Sequence, residues 1–198
     1  NCHEPGIETL GYGTERMTDE VDEALQGATT LRMDLDTTRN KDGYEALIAQ
    51  FSQGKADVLV GTQMVTKGLD FDRVDAVAVV NADALVNQPD FRASERAFNM
   101  MMQVAGRAGR RDDRGTVAIQ TAQPDLPLFT YVANHDYLNF YESEIEERKK
   151  FNYPPFTRVI NIYLKHRDRA MLEELAIAYG HRLRQLFGNR VFGPEEPV

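Results

Sequence analysis

The chain has 198 residues, 42% hydrophobic and 27% charged, and a formal net charge of −8, the balance of a soluble globular protein with room for one good-sized domain and part of another. The acidic balance excludes a global attraction to nucleic acid, so any such contact must use local patches. No apolar run reaches the roughly 18 residues of a membrane span, no signal-peptide pattern opens the chain, and the single cysteine excludes an internal disulfide and suits a reducing cytoplasm.

Taken in order, the segments alternate. Ile7 to Leu10 is predicted as a short strand. Thr14 is expected to cap a helix running to about Leu25 with an acidic exposed face. Thr30 to Met33 follows as a strand. Tyr44 to Gln53 places Leu47, Ile48 and Phe51 on one helical face. Val58-Leu59-Val60 and Val77-Ala78-Val79-Val80 are predicted as buried strands. Phe91 to about Ala105 is a helix with Ala97, Phe98, Met101 and Met102 inward, and Asp90 is its expected N-cap. Thr116 to Thr121 is a further strand. Short apolar strands alternating with helices argue an α/β fold, a parallel sheet with helices on both faces.

The second half changes character. Asp136 to Lys150 is predicted as a long charged helix, mostly solvated. Asn152-Tyr153-Pro154-Pro155-Phe156 ends it, since adjacent prolines stop a helix and stiffen a turn. Val159 to Leu164 is predicted as a strand and Asp168 to Phe187 as an amphipathic helix. A domain boundary falls near residue 152. The ends, Asn1-Cys2-His3 and Phe192 to Val198, read as cuts, so the chain is expected to be a fragment of a larger protein.

Chemistry concentrates in two stretches. The first is Gln103-Val104-Ala105-Gly106-Arg107-Ala108-Gly109-Arg110. Its two arginines lie three apart and point the same way at a helix start. The glycines let backbone approach something bulky and charged, and guanidinium forks match phosphate oxygens two at a time. The alternative is a solvated basic loop continued by Arg111 and Arg114, but solvation requires neither the glycines nor Gln103. The second stretch, Gly61-Thr62-Gln63-Met64-Val65-Thr66-Lys67-Gly68-Leu69-Asp70, leaves a buried strand at the carboxyl edge, where open parallel sheets bind ligands. Thr62 suits a phosphate of a nucleic-acid backbone and Asp70 a ribose hydroxyl. Read alone, this is equally a strand end and an ordinary loop, with Asp70 a helix cap.

Three patterns carry less. Asp22-Glu23-Ala24-Leu25 looks like an acidic metal box, but a polar helical run precedes it instead of a buried strand, so it reads as a solvated helix face. No G-x-x-x-x-G-K-[ST] phosphate loop exists: Gly54-Lys55 lacks the upstream glycine, and position 49 is Ala. His135, His166 and His181 lack triad or metal-motif partners and are expected in surface or capping roles. Lys149, Lys150 and Arg158 beside Tyr153 and Phe156 form a weak candidate DNA contact.

Together, Gly61-Thr62-x5-Gly68-Leu69-Asp70 and Gln103-x2-Gly106-Arg107-x-Gly109-Arg110 resemble motifs V and VI of superfamily 2 helicases. The resemblance implies that residues 13–151 form the second RecA-like lobe. It implies phosphate sensing and transition-state stabilisation by Gln103, Arg107 and Arg110. It places Asp70, Gly68 and Gly106 at the nucleotide, and Thr62, Gly61 and Lys67 at nucleic acid. ATP and Mg2+ are then held mainly by a first lobe that this chain lacks. The chain alone is expected not to hydrolyse ATP, with its arginines exposed and idle.

Three further segments are unusual in generic helicases: Arg32-Met33-Asp34-Leu35-Asp36-Thr37-Thr38-Arg39, the loop from Asn81 through Asp83 and Asp90 to Arg96, and Tyr153-Pro154-Pro155-Phe156. In this order and spacing they resemble the replication-restart helicases, the primosomal protein N-prime family. That resemblance implies an ATP-dependent 3′-to-5′ DNA helicase that recognises and remodels stalled forks, in the cytoplasm and with no membrane. Its implied partners are replication forks, single-stranded DNA, single-stranded DNA-binding protein, primosome proteins and the machinery that loads the replicative helicase. Other readings are a fork-binding scaffold with secondary ATPase, or another superfamily 2 DNA translocase. The family resemblance also makes residues 1–12 the end of a zinc-binding insertion, with Cys2 a Zn2+ ligand. A structural site needs four ligands, so the site is incomplete in this chain. Residues 152–198 would begin an α+β C-terminal domain.

Overall fold

The computed structural model describes residues 13–34, 41–62, 74–108 and 115–196. The chain divides into two compact units, Asn1–Lys150 and Phe151–Val198.

In the first unit the elements run α1 (Thr14–Ala24), β1 (Thr30–Met33), α2 (Lys41–Ser52), β2 (Val58–Gly61), β3 (Ala76–Val79), α3 (Asp83–Val86), α4 (Ala93–Ala105), β4 (Thr116–Ile119), α5 (Pro127–Ala133) and α6 (Tyr137–Lys150). β1 pairs with β2 and β3 with β4, both in parallel. Parallel neighbours need a crossover, and α2 supplies it for the first pair and α4 for the second. Among the described residues these are two separate two-stranded pairs, not the one continuous sheet expected from the alternation. Each pair has its own apolar centre. Met33 is fully buried among Tyr44, Leu47, Ile48, Phe51 and Leu59. The larger core joins Val79, Ala97, Phe98, Met101, Val104, Leu128, Val132 and Phe140. Val74, just ahead of β3, packs against the Met33 cluster.

Local chemistry explains several departures from expectation. Thr14 is not the cap of α1. Gly13 takes that position in extended geometry with no side-chain cap bond, because the Thr14 hydroxyl donates instead to the buried Asp34 carboxylate, and a charged acceptor makes the stronger bond. The Gly54-Lys55 pair, which resembled a broken phosphate loop, closes α2. Gly54 N donates to Phe51 O at 2.9 Å and Lys55 N to Gln50 O at 3.0 Å, with Gly54 at φ +70°, which is a Schellman cap. The helix α5 had no strong periodic signal; Pro127 starts it, as proline does at a first helical turn. His135 ends it at φ +53°, with Asp136 N donating to Tyr131 O, the same cap with histidine in the left-handed position.

In the second unit α7 (Arg169–Phe187) begins at Asp168, whose carboxylate accepts from Met171 N at 3.1 Å. A short 3-10 turn, Gly188–Arg190, follows. Val159 to Leu164 is not the predicted strand. It forms no ladder among the described residues, and Ile160 is 82% exposed. A run of β-branched and apolar residues specifies a strand only when a neighbour takes up its backbone hydrogen bonds. No helix among the described residues is long and apolar enough to cross a membrane.

Candidate functional site

The helix α4 delivers the first candidate group. Its buried stripe of Ala93, Ala97, Phe98, Met101 and Val104 follows the three-and-four spacing of a helix packed on one face. That stripe turns Gln103 outward, where it is exposed. Gly106 is the C-cap, exposed, with its N–H donating to Met102 O at 3.0 Å. Its φ is −67°, an ordinary right-handed value. A Cβ built at Gly106 would meet Met102 O at 3.5 Å and Gln103 O at 3.8 Å, ordinary contacts. Neither strain nor crowding within the described residues demands glycine here, so the open backbone is available to something that approaches it closely. Arg107 N donates to Val104 O at 3.0 Å, continuing the turn. Arg107 is half-buried, not exposed as expected. Gln103, Gly106 and Arg107 therefore share the C-terminal end of α4, not the helix start that the arginine spacing suggested. Arg110 lies outside the described residues.

The second group sits on the other strand pair. Gly61 is the last residue of β2 and pairs with Met33; Gly61 and Thr62 are both exposed at the carboxyl edge. Lys67, Gly68 and Asp70 lie outside the described residues, as does Cys2 at the start of the chain. At the same edge, Asp34 accepts from Thr14 Oγ1 at 2.7 Å and pairs with Arg32 Nε at 3.1 Å, while Arg32 Nη1 reaches Glu15 Oε1 at 3.4 Å. This network fastens the start of α1 to the end of β1, beside Gly61 and Thr62. The signal for Asp34 in the sequence is an acidic residue directly after the strand Thr30–Met33.

Asp83 organises the edge of the second pair. Its carboxylate accepts from Thr121 Oγ1 at 3.0 Å, Ala122 N at 2.8 Å and Gln123 Nε2 at 3.1 Å. The Ala122 amide, helped by Thr121 and Gln123, holds this carboxyl below the usual carboxylate range. Asn81 at φ +53° turns the chain there, and asparagine tolerates that region. Asp90 is not the N-cap of α4; Arg92 holds that position. Asp90 closes the turn before it, accepting from Arg92 N at 2.9 Å and pairing with Arg96 at 2.8 Å. Asp22 and Glu23 are exposed on α1, as a solvated helix face requires.

Among the described residues no group of three or more His, Cys, Asp and Glu side chains could hold a metal ion. At this C-terminal helix end the exposed Gln103 amide and the Arg107 guanidinium supply donors suited to an anionic ligand such as a nucleotide phosphate.

Comparison with known proteins decides the family. The helicase conserved C-terminal domain matches residues 12–112, half of the chain. The chain belongs to the helicase C-terminal domain family. It is 38% identical over 195 residues to the replication restart protein PriA of Bacillus subtilis, covering 98% of this chain and 24% of that protein. Against the PriA of Chlamydia trachomatis the identity is 44% over 154 residues, 78% of this chain and 20% of the relative. Against the PriA of Borreliella burgdorferi it is 31% over 201 residues, 100% of this chain and 30% of the relative. The chain is thus a homologue of PriA replication restart proteins and spans between a fifth and a third of their length.

Proposed function

We propose that this helicase domain is the second RecA-like lobe of an ATP-dependent 3′-to-5′ DNA helicase that remodels stalled forks during replication restart. Bound ATP would supply the transferable phosphoryl group. Arg107 and Arg110 stabilise the charge that develops on it, and Gln103 senses its presence. Asp70 takes the ribose, Gly68 and Gly106 leave room for the nucleotide, and Gly61, Thr62 and Lys67 hold one DNA strand. Mg2+ and most of the nucleotide contacts belong to a first lobe, and Zn2+ to an insertion whose last ligand is Cys2. Residues 13–151 form the lobe and 152–198 start the next domain. The partners are forked and single-stranded DNA, single-stranded DNA-binding protein, primosome proteins and the replicative helicase loader, in the cytoplasm.

One observation carries this reading: an exposed Gln103, an uncrowded Gly106 and Arg107 meet at a single helix end, in a chain of this family. The test is Arg107→Ala and Arg110→Ala in the full-length protein. Each is expected to lower DNA-stimulated ATP turnover by about a thousandfold or more while the fold is kept. Near-normal turnover in both variants ends the assignment.

A further inference from the structure

The helix that presents Gln103 and Arg107 is gripped near its opposite end by an arginine outside the phosphate-sensing motif. Arg148, in the last turn of α6, donates through Nη2 to Glu95 Oε2 at 2.7 Å and reaches Glu144 Oε2 at 3.5 Å. Its guanidinium carbon stands 5.4 Å from the centre of the Phe91 ring, and that of Arg92 stands 5.0 Å from the same ring. The Arg148 side chain is only 16% exposed and that of Glu144 15%, while Glu95 at the other end of the bridge is 45% exposed. A bridge made by so shielded a guanidinium adds little net stability, because its desolvation offsets the Coulomb attraction. What such a bridge does supply is a fixed geometry.

The geometry it fixes is the rotation of α4. Glu95, Met102 and Gly106 are seven and eleven residues apart, which at 3.6 residues per turn brings them within about 20° of one stripe. Gln103 lies eight residues from Glu95, about 80° around the helix, so a hold on Glu95 works with the buried stripe in setting the angle at which the far end presents its polar groups. A 20° turn would carry a side chain about 6 Å from the helix axis through about 2 Å. Displacements of about 1 Å in a catalytic constellation can cost about a hundredfold in rate.

We propose that Arg148 is a positioning residue: its bridge to Glu95 sets the rotational phase of α4 at which Gln103 and Arg107 meet the nucleotide. This rests on the nucleotide reading above. Arg148 itself touches no substrate in this scheme. Both carboxylate contacts run through one nitrogen, so a lysine ammonium can take its place, whereas glutamine is shorter and supplies no charge.

The experiment measures ATP hydrolysis by the full-length protein with saturating single-stranded DNA, for Arg148→Gln, Arg148→Lys, Glu95→Gln and Arg107→Ala. Expected for Arg148→Gln is a kcat about tenfold lower with KM for ATP within about twofold. Arg148→Lys is expected to recover kcat to within about threefold of the parent. Glu95→Gln, at a half-exposed position, removes the charge from the same bridge if Arg148→Gln does not fold, and should reproduce its kcat loss. A kcat unchanged in Arg148→Gln or Glu95→Gln, a KM that rises in step, or no recovery with lysine overturns the proposal. If Arg107→Ala is inactive and these variants are normal, only the positioning role fails. If Arg107→Ala turns over normally, the nucleotide reading fails and this role with it.

Discussion

Phe140 of α6 lies face to face with Phe98 of α4, ring centroids 4.1 Å apart and planes 4° from parallel. Both rings are buried, and Tyr131 of α5 meets Phe140 edge-on at 6.2 Å. This stack turns a helix that reads in sequence as a charged, solvated rod into part of the core. The same helix reaches α4 again at Glu95 through Arg148.

Replacing Phe140 should therefore cost what a buried aromatic costs. Phe140→Ala is expected to destabilise the first unit by about 3–5 kcal/mol, from lost transfer energy plus the cavity left behind. Phe140→Leu, which refills part of the volume, should cost less. Denaturant titration of the chain, followed by far-ultraviolet circular dichroism, reads the difference. An unchanged midpoint for Phe140→Ala would mean that α6 does not pack as described.

Asp34 is the buried carboxylate of the β1 edge, and its value lies in its partners. Thr14→Val deletes one donor from a carboxylate that still has Arg32, so a loss of about 1 kcal/mol is expected. Asp34→Ala leaves both the Thr14 hydroxyl and the Arg32 guanidinium without this acceptor and should cost more, up to about 3 kcal/mol. Because the three groups form one network, the double variant should fall well short of the sum of the singles. Strict additivity in the unfolding free energies would show that the hydrogen bond is not formed in solution.

How far the sequence disclosed this arrangement depended on distance along the chain. Strands β1 to β4 and the helices α1, α2, α4, α6 and α7 announce themselves by local periodicity, and the grouping of Gln103, Gly106 and Arg107 is visible because one helix end carries all three. The seven-residue α5 is too short to show a period. The apolar run Val159–Leu164 misled because a strand is made by its neighbour's hydrogen bonds. Contacts between distant residues left no trace: Arg148 finds Glu95 across 53 positions, and Asp83 finds Thr121, Ala122 and Gln123 across 38 to 40. The half-burial of Arg107 is likewise something that residue types alone do not specify.

Two carboxylates should give the fold opposite responses to pH. Burial pushes the Glu144 carboxyl above its ordinary value of 4.5, against the pull of Arg148. Its contribution to stability is therefore complete below that value and is lost as pH rises through the higher folded one. Asp83 is held below its ordinary 3.8, so its contribution is complete above 3.8 and is lost as pH falls through the lower folded value. Glu144→Gln should consequently gain on the parent as pH rises from about 4 to 7. Asp83→Asn should lose most ground at neutral pH and converge with the parent in acid. Melting temperatures from about pH 2 to 7 check both signs, the Asp83 effect falling below 3.8 and the Glu144 effect above 4.5, and curves parallel to the parent's over the whole range would show that the carboxyl in question is not perturbed.

Gly106 separates a structural glycine from a functional one. Its φ of −67° is open to any residue, and an added Cβ would make only ordinary contacts. Restricting the unfolded chain with a methyl group at such a site stabilises by about 0.4–1 kcal/mol, so Gly106→Ala should leave the fold intact or slightly firmer. The same methyl would stand where the proposed nucleotide phosphates approach the backbone. In the full-length protein, Gly106→Ala is therefore expected to lower DNA-stimulated ATP turnover at least about tenfold, a barrier increase of roughly 1.4 kcal/mol. Stability and turnover would then move in opposite directions, which simple misfolding cannot produce. A variant that is firmer and fully active would remove Gly106 from the nucleotide's path and leave Gln103 and Arg107 to hold the site without it.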